Sequence, residues 1–76
     1  MNKERRKKLQ EAIGHLESAS GIVEDVTMEE QLAHDSLPEQ LQWTERGEKM
    51  EEVISNLEEA VSLIDEATKI INDCEN

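Results

Sequence analysis

Glu48–Cys74 reads EKMEEVISNLEEAVSLIDEATKIINDC, and its reading decides the fold. Apolar residues fall at Met50, Val53, Ile54, Leu57, Ala60, Val61, Ile64, Ala67, Ile71 and Cys74. Steps of three and four place them on one stripe of a helix of about seven turns. Glu51, Glu52, Glu58, Glu59, Asp65, Glu66 and Asp73 stand on the opposite side. A lone helix of this kind is unstable in water, because its apolar face requires a cover. The stripe is also wide: Ile54 and Val61 lie beside the central seam, with Leu63 and Ile70 on the other flank.

The first part of the chain supplies a thinner stripe. Asn2 is placed to cap a helix starting at Lys3. Leu9, Ile13, Leu16 and Val23 then fall on heptad positions d, a, d and d, with Ser20 at a and Ala12, Ala19 and Val26 on the g flank. Gly14 and Gly21 are seven apart, each costing about 1 kcal/mol relative to alanine. Either another helix approaches there, or the cost is simply tolerated.

Between the stripes the period breaks. Thr27-Met28-Glu29-Glu30 fits a capping box, with helix restarting or continuing through Gln31, Leu32 and Ala33. Ser36 and Glu39 frame a second box with Pro38 in the first turn, which predicts a short helix from Pro38 to about Trp43. Thr44 is placed to cap the final helix, with Gly47 in its first turn. Leu32, Leu37, Leu41 and Trp43 are available to plug the end. The expected architecture is all-α. A helix over 3–26 and a long helix over 45–74 form an antiparallel hairpin around an interrupted helical connector, 27–44.

Seventy-six residues make one domain with a small core. One cysteine excludes an intrachain disulfide, and the two histidines and the cysteine match no zinc spacing. Association of two or more chains is therefore the expected source of extra burial. The expected packing seam is Leu9, Ile13, Leu16, Val23, Met50, Val53, Ile54, Leu57, Val61, Ile64 and Ile71. With no long apolar run and no signal-peptide core, the expectation is a soluble, cytoplasmic protein without membrane contact.

Of the net charge of −11, the distribution is more informative than the total. Lys3, Arg5, Arg6, Lys7 and Lys8 share residues 1–8 with one acid, Glu4, while the remainder sets 18 acids against Arg46, Lys49 and Lys69, a net of −15. Cations at a helix start oppose the macrodipole. They can pair with acids of the other helix end, such as Asp73 and Glu75, or bind an anion.

EEQLAHDSLPEQLQ followed by TERGEKMEEVISNLEEAVSLIDEA resembles a family of short acidic proteins encoded by phages and prophages of Gram-positive bacteria. The basic NKERRKKL start belongs to the same pattern. Asp35–Leu41 and Glu45–Glu52 carry the most specific parts. His34 replaces an aromatic residue of the pattern, and Trp43 replaces a small or polar one. The resemblance implies a helical fold and a phage accessory role, and it brings no catalytic residue with it.

Catalytic and metal chemistry find little support. Di-iron bundles use Glu-x-x-His, whereas Glu11/His15 and Glu30/His34 are spaced four apart. A magnesium-dependent nucleotide pyrophosphatase would pair Glu48-x-x-Glu51 with a second acidic motif, but Ser62 stands three before Asp65. Cys74 lies on the packing stripe and reads as a buried or half-buried thiol. We therefore expect no enzyme activity, no cofactor and no metal. Three readings remain. One is a self-associating helical module that binds a host (defence) or phage protein. Another is an acidic mimic of nucleic acid in a partner's groove. The last is an oligomeric sink for a phosphorylated small molecule at Lys3–Lys8. Direct nucleic-acid binding is not expected. The connector residues Asp35, Leu37, Pro38, Leu41, Trp43 and Arg46 are the expected partner surface.

Overall fold

Asn2 starts the first helix as its side chain predicts: Oδ1 accepts from Arg5 N–H at 2.8 Å. In the computed structural model, which describes residues 1–75, three helices follow: α1 Lys3–Asp35, α2 Glu39–Gln42 and α3 Glu45–Cys74. α1 and α3 pack along their length into a hairpin with extents of 58 × 15 × 12 Å.

Three polar links fix the register. Gln10 donates to Glu75, Ser20 Oγ donates to Asp65 Oδ1 at 2.9 Å, and His34 Nε2 lies 3.1 Å from Glu51 Oε1. The two residue numbers add to 85 in every case, so the helices run antiparallel without a slip over about seven heptad half-steps. Ile13 of α1 and Ile54 of α3 are the buried apolar residues. Leu9, Leu16, Val23, Met50, Leu57, Val61, Ile64 and Ile71 are half-buried around them. Ile54 and Val61 thus lie in the seam rather than beside it, and Val53, expected in the seam, is 41% exposed on its flank.

α1 does not stop at Val26. Thr27 Oγ1 donates back to Val23 O at 2.7 Å within the same helix instead of capping a new one. The a/d register simply continues through Thr27, Glu30 and His34, all buried or half-buried. The connector is correspondingly short. Ser36 closes α1, its N–H and Oγ both donating to Leu32 O at 3.0 and 2.7 Å, so it is not part of a capping box. Pro38 precedes α2 in an extended conformation (φ −55°, ψ 143°) and its carbonyl accepts from Leu41 and Gln42.

Thr44 begins α3 through its backbone carbonyl, which accepts from Glu48 at 3.0 Å, while its hydroxyl turns back to Leu41 O. Gly47 is buried there, and a Cβ at this position would stand 2.3 Å from Gln42 O. α2 and the first turn of α3 can meet only because that atom is missing. By contrast, Gly14 and Gly21 have open space around them, so no helix of the same chain explains them.

Candidate functional site

The register assigns every helical residue to a side of the hairpin. In α1 the a and d positions are 6, 9, 13, 16, 20, 23, 27, 30 and 34; in α3 they are 47, 50, 54, 57, 61, 64, 68 and 71. In an antiparallel pair the g flanks of both helices lie on one side, continued outward by the c positions. The e and b positions lie on the other side.

The two sides differ in chemistry. On the e/b side stand Glu17, Glu24 and Asp35 of α1 with Glu48, Glu51, Glu58 and Asp65 of α3. The outer edges, position f, add Glu4, Glu11, Asp25, Glu45, Glu52, Glu59, Glu66 and Asp73. These two groups hold most of the 19 acids. The g/c side has a single carboxylate, Glu29. Half-buried Ala12, Ala19, Ala60 and Ala67 run along it. They are bordered by Ile22, Val26, Val53, Leu63 and Ile70, between 41% and 64% exposed. Arg5 and Lys8 sit at one end of this side, Arg46 and Lys49 at the other.

All three polar links between the helices emerge on the acidic side, because Gln10, Asp65 and Glu51 occupy e positions. Ser20, a weak point of the seam by sequence, is buried and bonded to Asp65, which satisfies its hydroxyl. His34 is the other buried polar residue, flanked by Asp35 Oδ1 at 3.3 Å and Glu51 Oε1 at 3.1 Å. The Nε2 contact is close but misaligned for a hydrogen bond, so the two side chains are neighbours rather than bonded. His15 stays exposed beside Glu11. On the same side a shallow groove is lined by Glu24, Thr27, Met28, Glu58 and Val61.

The expected partner residues Asp35, Leu37, Pro38, Leu41, Trp43 and Arg46 gather at the connector end. Leu37 is half-buried, Leu41 is 42% exposed and Trp43 is 79% exposed. They do not plug the hairpin, and neither does Leu32 at 66%; a four-residue α2 is too short to fold them over it. Lys3, Arg5, Arg6, Lys7 and Lys8 occupy five different heptad positions, so they point around the helix rather than into one cradle. Among the described residues none of them makes an ion pair, and Glu75 is met by Gln10 instead. Cys74 is exposed, not buried, because it lies on the g flank beyond the seam.

Among the described residues no three His, Cys, Asp or Glu side chains converge as metal ligands, and no helix is long and apolar enough to cross a membrane. Comparison with family models, with curated proteins and with solved structures gives no match. The surfaces themselves are what a functional reading has to rest on. Sequence inspection names most of the residues of the alanine-rich side but not the side itself, which exists only once two helices are set in register.

Proposed function

We propose that the chain is a non-catalytic, self-associating helical module that works by binding another protein. One observation carries this reading: the hairpin buries two aliphatic side chains and leaves five uncovered on one nearly acid-free side. Burying a large aliphatic side chain contributes about 1.5–3 kcal/mol, and half-burying one contributes less, so Ile13 and Ile54 with the half-buried seam around them offset only a small part of the cost of ordering the chain. Its surface of 5955 Å² exceeds the roughly 4,700 Å² expected of a compact folded chain of this mass. The radius of gyration, 17.3 Å, likewise exceeds the roughly 11 Å of a compact domain. Association supplies the missing burial, and the exposed connector with Trp43 offers an aromatic anchor for a partner.

The setting we propose, a phage or prophage accessory protein acting on a host defence protein in the bacterial cytoplasm, rests on the sequence resemblance in Asp35–Leu41 and Glu45–Glu52. Affinity capture from a bacterial lysate, with and without nuclease, tests the reading. A protein retained after nuclease treatment and lost with Trp43→Ala supports it; no retained protein overturns it.

A second reading is favoured by one further observation. On the acidic side the e-position carboxylates alternate between helices, Glu17, Asp65, Glu24, Glu58 and then Glu51, at axial steps of about 5 Å over the first four. Such a row suits an acidic mimic that occupies a nucleic-acid groove of a basic partner. Displacement of the captured protein by added DNA or RNA distinguishes the two.

A further inference from the structure

The self-association proposed above leaves open which surface the copies share. We infer that it is the alanine-rich g/c side, with a second copy of the hairpin laying the same side against it to make a four-helix bundle.

Acid exclusion is the first argument. In a chain with 19 carboxylates, one whole side of the hairpin carries only Glu29. Its cations lie at the two ends, so Glu29 is the one formal charge along the middle, as suits a side whose centre is covered by another chain. The second argument is shape. Ala12, Ala19, Ala60 and Ala67 form two parallel lines of small side chains, half-buried by their neighbours. They allow helices of a second copy to approach at the usual interaxial distance of about 8–10 Å. Ile22, Val26, Leu63 and Ile70 rise beside those lines and supply the area to be covered.

The amount of surface agrees. The chain exposes roughly 1,200 Å² more than a compact fold of its mass, and a stable interface takes about 800 Å² from each partner. The fourth argument is charge. Arg5, Lys8, Arg46 and Lys49 sit at the ends of this side, where a second copy brings the acids of its outer edges. The opposite side is the poorer choice, since pairing it with itself would press together seven carboxylates from each copy against Lys3, Lys7 and Lys69 alone.

Light scattering on the full chain and on two variants tests this. Leu63 and Ile70 are 57% and 56% exposed in the single hairpin, so Leu63→Glu with Ile70→Glu leaves the seam between α1 and α3 untouched. The parent is expected to run as a dimer or larger, and the double variant at no more than half the parent mass. Leu32→Glu, 66% exposed on the outer edge, is expected to keep the parent mass. A parent that is monomeric at high concentration overturns both this inference and the self-association it rests on. A parent oligomer whose mass the double variant leaves unchanged overturns the choice of side alone.

Should the double variant lose its helical circular dichroism, a photo-crosslinking residue settles the question in an otherwise parent chain. Placed at position 70 it is expected to yield covalent dimer, and at position 17 none. The reverse pattern overturns the inference.

Discussion

Replacing each helical glycine in turn by alanine perturbs three sites by the same single methyl group, and the structure gives the three changes different signs. At Gly14 and Gly21 an added Cβ meets nothing within 4 Å. Alanine there recovers about 1 kcal/mol of helix propensity at each site, through the smaller entropy of the unfolded chain. At Gly47 the added Cβ would lie 2.3 Å from Gln42 O, 2.6 Å from Gln42 C and 2.7 Å from Gln42 Cα. Those are backbone atoms of the connector, roughly 1 Å inside ordinary contact. Relieving that overlap by moving α2 costs about 1–3 kcal/mol, more than the propensity gain at the first turn of a helix.

For a chain of this size 1 kcal/mol corresponds to about 4–8 °C in Tm. Gly14→Ala and Gly21→Ala are therefore expected to raise Tm by several degrees, and Gly47→Ala to lower it. The assay is thermal and urea unfolding by circular dichroism at one fixed chain concentration, because association adds stability by mass action. A stabilising Gly47→Ala would refute the close approach of α2 and α3. A destabilising Gly14→Ala or Gly21→Ala would also be decisive. Both glycines occupy b positions on the acidic side, so a loss there would mean that another chain covers that side instead of the alanine-rich one.

Further perturbations test individual links. Asn2→Ala removes the side-chain acceptor of Arg5 N–H and should cost about 1 kcal/mol, read as fraying of the first turn in amide hydrogen exchange; unchanged protection of the first turn would sink that assignment. Glu51→Gln, at a side chain 62% exposed, is expected to change stability by less than about 1 kcal/mol. His34→Ala, at a side chain 9% exposed, should cost several times more in urea unfolding, because it leaves a gap in the seam; equal costs would show that His34 acts only through its contact with Glu51. Cys74, the single thiol, carries a spin label without other substitution. Asp35, Glu39, Glu45, Glu48, Glu51 and Glu52 outnumber Arg46 and Lys49 at the connector end, so two copies should lie head to tail. The label-to-label distance is then expected to approach the 58 Å length of the hairpin, and ready formation of a Cys74–Cys74 disulfide would contradict it.

The hairpin was legible in the sequence because Leu9–Val23 and Met50–Ile71 carry apolar residues at steps of three and four. Where the seam turns polar, hydrophobicity no longer marks it. Thr27, Glu30 and His34 keep the step but not the hydrophobicity, so a continuous α1 looked like a connector. The unbroken spacing from Val23 to His34 was the signal available. Val53 and Cys74 failed in the opposite way: both are apolar at helical spacing, yet they sit on the g flank, which one helix alone cannot distinguish from its seam. Gly47 gave no warning either, since its close neighbour, the Gln42 backbone, is set by the turn and not by any side chain. The unlike sides of the hairpin were the least legible feature, because each is assembled from two helices whose facing residues, His34 with Glu51 and Ser20 with Asp65 among them, are remote in sequence.

Self-association and an acidic recognition surface are not competing descriptions of this chain. If the alanine-rich sides face one another, the acidic sides of both copies turn outward, and the assembly presents carboxylates whichever side a partner meets. Salt then acts in opposite directions on the two events. Each copy carries −11, so joining two copies works against mutual repulsion, and added salt screens that repulsion and strengthens association. Binding of a basic partner to the acidic side draws on the same charge and weakens in salt. Scattering mass that rises with ionic strength while partner capture falls would separate the two surfaces without any mutation. Should both rise or both fall together, one surface would be serving both events, and the division of the hairpin into a covered and a displayed side would be wrong.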